Sequence, residues 1–588
     1  MTVSISRMNI EYYLSTIAVG DTAASRKHLT NYYTSSGDPA GTWFGQGLTG
    51  ISRSNEQTVT KHDARAVYED IAHPDTNNPL GKRPMQKTDG PQGAKTPSQK
   101  PVRKQTREAV AGFDLTFSAP KSVSALWAVA DTATQATIHQ AHQDAVRNTL
   151  TWLENNVIQS RAGDGGIAKA QVQGIIASLF DHFDSRTGDP QLHTHAVLSN
   201  RVQRAADGAW VTLDSYALHK WVVTASEMYN ATLFDELAKT AGTHTEQRLP
   251  LEEMMEATEN SDRNRRVELT GVPDELIIEF SQRTSAIEER KNELIKQWKE
   301  NNGENIPDAI VIKLRERATL ESRDAKPADK APLSTRLYQW RERTRALGLK
   351  PADILTNATG HPTVTYTAET FTDEALTEIA QNIIKQTSIK HPTFNRANLT
   401  ASAHRLSVNI RFNTLEERNE FTEHLVDTAL TQAVSLTPDR YELDHLAQTE
   451  LTLRGTSVFD RKEDKIYTIQ HVLDIEKELM DAARDTKATH LTDTHKARQI
   501  LTEHVSDKGH SLAPDQLEAA FKVTTEASTI SAIIGPAGTG KTSTLAGVRA
   551  AWENAYGQDL LPQPQQHQCC LKTSASALTT PLNGSMNQ

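Results

Sequence analysis

The chain has 588 residues, of which 37% are hydrophobic and 23% are charged, and its formal net charge is −10. This length allows two to four domains, and the two adjacent cysteines, Cys569 and Cys570, exclude a disulfide framework and a four-thiolate zinc site. No run approaches the roughly 20 apolar residues of a membrane helix, and the first residues lack the features of a secretory signal, so we expect a cytoplasmic protein without a membrane span.

Two tyrosine pairs lie near the start of the chain, Tyr12 with Tyr13 and Tyr32 with Tyr33. A phenol has a pKa of about 10 and is a weak nucleophile. It attacks a phosphodiester only when a cation neutralises the phosphate oxygens and another group takes the phenol proton. The pairs are therefore candidate nucleophiles, and half-buried strand aromatics are the alternative.

The loop of residues 82–107 is strongly basic, with eight lysines and arginines and one acidic residue, Asp89. An acidic protein can still bind nucleic acid through such a local patch. Arg103 and Lys104 belong to this patch. On charge alone, a solvated linker is the alternative.

A strand, a helix and a hairpin are predicted next. Gly112–Ser118 is predicted to be a strand and Lys121–Ala130 a helix. Val172–Phe183 and Leu192–Ser199 are predicted to be two strands, and the Gly-Asp-Pro turn between them predicts a β-hairpin. A helix is predicted over Lys220–Thr240.

Three histidines lie on this predicted hairpin. His193 and His195 are two residues apart on one strand and so share one face, and His182 is near the end of the other strand. Three imidazoles without thiolates suit Zn, Mn, Co or Ni and leave positions open for a substrate. Metal-bound imidazoles usually donate their second N–H to a carboxylate, for which Asp114 is the candidate. A pair of histidines on the sheet surface, without a metal, is the alternative.

The second half of the chain ends in a phosphate-binding motif. Residues 276–345 are predicted to be charged helices, and residues 351–440 a connecting region of mixed character. Residues 441–557 are predicted to be an α/β region, with an apolar strand and a helix flanking the phosphate loop. Its candidate ATP-binding residues are Gly535, Gly538, Gly540, Lys541, Thr542 and, upstream, Gln516.

We expect this ATP site to be partial. Only 46 residues follow Thr542, too few for the second acidic metal ligand and the arginine of a helicase motor. Residues 558–588 are rich in Gln, Pro, Ser and Thr and are predicted to be disordered. The sequence therefore predicts no processive helicase activity.

Several of these segments together resemble the MobF-type conjugative relaxases. They are the N-terminal tyrosine pair and the motifs FDLTFSAPKSVS and DPQLHTHAVLSN, and the resemblance extends from residue 1 to about residue 350. The upstream LAPDQLEAA, with Gln516, resembles the adenine-binding element of RecD-like helicases. The resemblance implies an α+β fold, in which a relaxase domain with a central antiparallel sheet flanked by helices precedes an incomplete P-loop helicase region.

The resemblance also implies a reaction and a site. It implies a nickase that cuts single-stranded DNA at an origin of transfer for plasmid mobilisation and becomes linked to the 5′ end through a tyrosine. His182, His193 and His195 would hold a divalent metal, Mg, Mn or Zn, and Asp114 would orient a histidine and accept a proton. Tyr12 matches the nucleophile best and Tyr13 follows it, with Tyr32 or Tyr33 serving a later transfer step. Lys121, Arg103 and Lys104 would contact DNA phosphates. Relaxosome accessory proteins and a coupling protein are the implied partners.

Two other functions remain open. A rolling-circle replication initiator shares the histidine and tyrosine chemistry, but its tyrosines usually follow its histidines, whereas here they precede them. A degenerate protein that binds an origin and represses without cutting is the second alternative.

Overall fold

The structure is a computed structural model that describes residues 2–8, 10–14, 39–81, 110–249, 266–303, 306–322, 331–437, 452–454, 456–459, 465–505, 509–536, 539–557 and 577–579. The chain forms two compact units, Met1–Thr468 and Ile469–Gln588. Among the described helices, none has both the length and the apolar character needed to cross a membrane.

The first unit mixes strands and helices. Its described strands are β1 (Val3–Arg7), β2 (Thr42–Phe44), β3 (Gly112–Ser118), β4 (Ser160–Ala162), β5 (Ala168–Ala170), β6 (Ala177–Asp184), β7 (Pro190–Ser199), β8 (Arg201–Gln203), β9 (Trp210–Thr212), β10 (Thr245–Arg248), β11 (Arg266–Leu269), β12 (Val434–Ser435), β13 (Thr452–Leu453), β14 (Thr456–Ser457) and β15 (Tyr467–Thr468). Its described α-helices are α1 (Ile10–Leu14), α2 (Lys61–Arg65), α3 (Lys121–Val129), α4 (Thr132–Asn156), α5 (Ser215–Ala241), α6 (Asp274–Glu279), α7 (Gln282–Asn302), α8 (Asp308–Glu321), α9 (Leu333–Ala346), α10 (Pro351–Ala358), α11 (Asp373–Lys390), α12 (Arg396–Leu406) and α13 (Leu415–Thr431).

A five-stranded antiparallel sheet organises this unit, with the strand order β1-β3-β7-β6-β2. Alternate side chains of each strand point to opposite faces. On one face, the helix face, Leu115, Phe117 and Leu198 join the main core, to which α3, α4 and α5 contribute. On the opposite face, the site face, Phe180 and Val197 belong to a second core cluster. The predicted antiparallel sheet flanked by helices is confirmed.

The predicted hairpin is confirmed as β6 and β7, although β6 ends at Asp184, β7 begins at Pro190, and the start of the first strand differs most. The first strand begins at Ala177 and not at Val172. Gly174 interrupts it with a φ of +145°, and a Cβ there would lie 2.4 Å from Glu154 Oε1. The Glu154 carboxylate accepts hydrogen bonds from the backbone N–H groups of Gln46 and Ile175, which holds the chain in this irregular conformation.

Helix α9 supports the turn of the hairpin from a distant part of the sequence. Trp340 Nε1 donates a hydrogen bond to the Gly188 carbonyl oxygen at 2.8 Å. Arg343 Nη2 lies 2.9 Å from Oδ1 of Asp189, a carboxylate that is 1% exposed. A buried carboxylate needs a charged partner as well as hydrogen bonds, and α9 supplies that charge to Asp189.

Residues 351–437, predicted to be a connecting region, form mainly the helices α10–α13 and lie in the same compact unit as the sheet. Asp235 of α5 and Arg418 of α13 form a buried ion pair, with Nη2 and Oδ1 2.7 Å apart. Burial raises the pKa of the Asp235 carboxyl, and the Arg418 charge offsets this only in part. The predicted boundaries at residues 350 and 440 stay predictions.

The second unit is small. Its described elements are the strands β16 (Ile530–Ala532) and β17 (Ala577–Thr579) and the helices α14 (Gln470–Arg484), α15 (Thr494–Glu503), α16 (Pro514–Thr525) and α17 (Lys541–Tyr556). Leu501, Ala520 and Val548 belong to its core. Of residues 558–588, predicted to be disordered, only 577–579 are described, and they pair antiparallel with β16.

Candidate metal and nucleophile site

Three histidines meet on the site face of the sheet. In the register of the hairpin His182 of β6 is opposite His193 of β7, and His195 is opposite Thr116 of β3. One nitrogen of each imidazole lies within 4.8 Å of the others. The ring centroids are 5.0–5.2 Å apart. The strand pairing therefore brings the predicted cluster together.

Hydrogen bonds orient two of these rings. His193 Nδ1 lies 2.8 Å from the Gln191 carbonyl oxygen, and His195 Nδ1 lies 3.0 Å from Asp114 Oδ2. Since a carbonyl and a carboxylate oxygen only accept, both nitrogens donate. A neutral imidazole that donates through Nδ1 coordinates a metal through Nε2.

The donor set fits a divalent metal ion. Nitrogens bound to one ion through bonds of about 2.1 Å lie about 3.4 Å apart in tetrahedral geometry, so modest ring rotations are enough to close the cluster. Three imidazoles with a carboxylate behind one of them are typical of catalytic metal sites with an open position. Together these residues could hold a metal, and three imidazole donors favour Mn or Zn over Mg, which prefers oxygen ligands.

Tyr13 lies against this cluster. Its hydroxyl donates a 2.6 Å hydrogen bond to Asp114 Oδ2, and its ring centroid is 5.0 Å from that of His195. The ring also stacks on Phe180 at 5.2 Å, and the side chain is 4% exposed. Asp114 thus links a phenol and a histidine of the cluster through one carboxylate.

The other predicted tyrosines are not placed at this site. Tyr12 belongs to α1, but its side chain is not among those that the structure describes. Tyr32 and Tyr33 lie outside the described residues. Roles for these three side chains stay predictions.

Sequence reasoning missed two residues of the site. Thr116 places its hydroxyl 3.2 Å from Asp114 Oδ2 and 3.1 Å from His195 Nδ1. The alternation of β3 could have found it, because Thr116 is two residues from Asp114 and on the same face. Gln191 acts through its backbone carbonyl, which side-chain motifs do not reveal.

Lys121 was predicted to contact DNA phosphates. In the structure its ammonium donates to the Pro190 carbonyl oxygen at 2.8 Å and lies 3.3 Å from Gln191 Oε1. Burial lowers the pKa of Lys121 to about 8. These contacts tie α3 to the start of β7. A contact of Lys121 with DNA phosphates stays a prediction, and Arg103 and Lys104 lie outside the described residues.

The phosphate loop of the second unit precedes helix α17. Gly540 caps this helix with a φ of 76°, a left-handed conformation that suits glycine. Lys541 Nζ donates to the Gly535 carbonyl oxygen at 2.8 Å, and Gln516 Nε2 donates to the Thr539 carbonyl oxygen at 2.9 Å. Thr542 is exposed in the first turn of α17, and Gly538 lies outside the described residues.

Two family models match the chain. The TrwC relaxase model matches residues 7–347, and a model described as an AAA domain matches residues 511–573. The chain is 33% identical over 182 residues to the multifunctional conjugation protein TraI of Escherichia coli, and over 186 residues to that of strain K12. Each alignment covers 31% of this chain and 10% of the relative, so the chain aligns with about a tenth of these curated relatives.

Solved structures of one conjugative relaxase are also similar to this chain, at a lower sequence identity. The conjugative relaxase TrwC in complex with oriT DNA, in a copper-bound form, is 25% identical with a TM-score of 0.41, over 59% of this chain and 99% of that chain. A complex with a 27-mer DNA is 26% identical with a TM-score of 0.39, over 59% and 100%. Because these TM-scores are low, the assignment depends on the family model, which covers more than half of the sequence. The chain belongs to the TrwC relaxase family, the MobF-type conjugative relaxases.

Proposed function

We propose that this chain nicks one strand of DNA at an origin of transfer by tyrosine attack on the scissile phosphate. The observation that carries the proposal is the hydrogen bond from the Tyr13 hydroxyl to Asp114, beside the three histidines. Membership of the relaxase family and the conjugative function named for the TraI relatives support it.

In the proposed reaction Tyr13 is the nucleophile and Asp114 accepts its proton. The Tyr13 oxygen forms a bond to phosphorus while its proton passes to the Asp114 carboxylate, with which it already shares a hydrogen bond. The bond from phosphorus to the 3′-oxygen breaks, and that oxygen takes a proton from solvent. The products are a 5′-phosphotyrosyl link and a free 3′-hydroxyl end.

Asp114 is held for this step by its other contacts. His195 Nδ1 and the Thr116 hydroxyl both point at the carboxylate, which fixes its orientation towards Tyr13. His182, His193 and His195 would hold a divalent ion, which supplies positive charge to the phosphate oxygens. The low exposure of Tyr13 limits competition from water at the phenol.

This proposal favours Tyr13 over Tyr12 as the first nucleophile, because the described contacts join Tyr13 to Asp114. The test uses single-stranded oligonucleotides tiled across the DNA that flanks the gene, with Mg²⁺, Mn²⁺ or Zn²⁺, and detects an SDS-resistant adduct. We expect Tyr13→Phe to lose the adduct and Tyr12→Phe to keep it. The opposite result would assign the attack to Tyr12, and no adduct with any of the metals would favour a non-cutting origin-binding protein.

For the second unit we propose nucleotide binding at the phosphate loop, through Lys541 and the N-terminus of α17. The AAA-domain match supports this assignment. Binding of a fluorescent ATP analogue that Lys541→Ala abolishes would support it, and no binding would contradict it. DNA-stimulated ATP hydrolysis would contradict the expected inactive motor.

A further inference from the structure

The strands that carry the histidines also carry two polar residues on the helix face. Asp181 and Thr194 are directly opposite each other in the register, one position from the pair of His182 and His193. The Thr194 hydroxyl donates to Asp181 Oδ1 at 2.5 Å. Thr194 is 2% exposed, so this hydrogen bond lies behind the cluster and away from solvent.

Helices α4 and α5 extend this contact into a hydrogen-bond chain. His142 Nε2 lies 2.8 Å from Thr194 Oγ1, and His142 Nδ1 lies 2.7 Å from the Tyr229 hydroxyl. Both His142 and Tyr229 are 0% exposed. From the other side Gln143 Nε2 donates to Asp181 Oδ2 at 2.7 Å. We call Tyr229, His142, Thr194 and Asp181 the rear chain.

The direction of each hydrogen bond in the rear chain is determined. Burial lowers the pKa of His142 to about 3, so the ring is neutral and carries one N–H. The Thr194 hydroxyl donates its hydrogen to Asp181, so Thr194 Oγ1 accepts a hydrogen bond from His142 Nε2–H. His142 Nδ1 then accepts the proton of the Tyr229 hydroxyl. One tautomer satisfies every member of the chain.

The rear chain can affect the positions of the three histidines through the backbone of β6 and β7. Thr194 lies between His193 and His195, so a displacement of its backbone moves both imidazoles. A register shift of one residue would turn the histidines into the core, and the Asp181–Thr194 pair opposes such a shift. A buried donor or acceptor left without its partner destabilises the fold, so the chain resists distortion.

We propose that the rear chain is a positioning device that sets the spacing of the three histidines and thereby the affinity for the metal. None of its four residues is a proposed metal ligand or contacts the proposed nucleophile Tyr13; they act on the histidines through the backbone of β6 and β7. The inference rests on the proposed function, because it requires that the histidines bind a metal.

The test measures binding of Co²⁺ to the full chain by its visible absorption, together with the melting temperature. Thr194→Val keeps the shape of the side chain and removes the hydroxyl. We expect Co²⁺ to bind about tenfold more weakly and the absorption bands to change, since residues that orient metal ligands typically contribute that much. Thr194→Ser restores the hydroxyl and should bind within about twofold of the wild type.

Thr149→Val is the matched control. The Thr149 hydroxyl is also buried and donates to the Ala145 carbonyl oxygen at 2.8 Å within α4. This variant should keep the wild-type Co²⁺ affinity and spectrum even if its melting temperature falls. An equal loss of affinity in Thr149→Val and Thr194→Val would show a general effect of destabilisation and overturn the proposal.

The remaining outcomes separate the two proposals. If the wild-type chain binds no Co²⁺, the metal site of the proposed function is wrong. If the wild type binds and Thr194→Val has the same affinity and spectrum, the positioning role is wrong. If Thr194→Val does not fold, Tyr229→Phe decides: we expect about two- to threefold weaker binding, and unchanged binding overturns the proposal.

Discussion

Replacing Asp114 with asparagine tests the centre of the proposed site. The Asp114 carboxylate accepts from the Tyr13 hydroxyl at 2.6 Å, from His195 Nδ1 at 3.0 Å and from the Thr116 hydroxyl at 3.2 Å. An amide of the same shape offers one oxygen and presents an NH₂ group to the remaining donors. With the amide oxygen at the Oδ2 position, three donors share one oxygen and the NH₂ group faces His195 Nδ1, which lies 3.1 Å from Oδ1, so at least one contact must be weakened or lost.

Two effects of different size are expected from this change. Loss of the partner that orients His195 should weaken metal binding about 10- to 100-fold. Loss of the proton acceptor should lower the rate of adduct formation about 10²- to 10⁴-fold even when metal is saturating, which corresponds to about 2.7–5.5 kcal/mol of transition-state stabilisation.

Adduct formation measured over a metal titration separates these effects, because saturating metal removes the first of them. Asp214→Asn is the matched control, since its buried carboxylate pairs with Arg161 at 3.1 Å and is not among the site residues. A saturating rate for Asp114→Asn within about threefold of the wild type would refute the assignment of Asp114 as proton acceptor. Unchanged metal affinity would refute its orienting role.

Two further predictions concern stability. Arg418→Ala leaves the buried Asp235 carboxylate without its main partner and should lower the unfolding free energy in urea denaturation by about 3–5 kcal/mol. The double variant Arg418→Met with Asp235→Leu removes both charges and should lose much less stability. Equal losses in the two variants would contradict the ion-pair argument. Burial lowers the pKa of His404 to about 3, so its stabilising contribution is complete above about pH 6.5 and is lost as the pH falls. Between pH 6.5 and pH 5 the wild type should lose about 1.5 kcal/mol that His404→Leu does not lose, and parallel pH profiles would contradict this.

Local periodicity was enough to predict much of the site. The alternation of β7 places His193 and His195 on one face, and the turn residues of the hairpin bring His182 beside them. The strand Gly112–Ser118 was predicted with its observed bounds, and it carries Asp114 on the same face. These features depend on residues close in sequence or on the two-residue repeat of strands.

Contacts between distant residues were not predictable in the same way. Tyr229 and His142 are 87 residues apart in the chain, and His142 and Thr194 are 52 apart. No periodicity of helices or strands predicts contacts at these separations. The same holds for Asp235 and Arg418, which are 183 residues apart in the chain. Such pairs follow from how the helices pack on the sheet, which a single sequence does not specify.

The contacts of α9 with the hairpin turn bear on how relaxases of this kind can exchange parts by recombination. Asp189 and Gly188 belong to the turn of the β6–β7 hairpin, whereas their partners Arg343 and Trp340 are encoded about 150 codons downstream. A crossover between these two regions would join the turn of one parent to the helix of another. Chimaeras with a crossover between these regions should therefore keep the proposed nicking activity only when both parents have matching residues at these positions, whereas crossovers before residue 188 or after residue 346 leave the contacts intact.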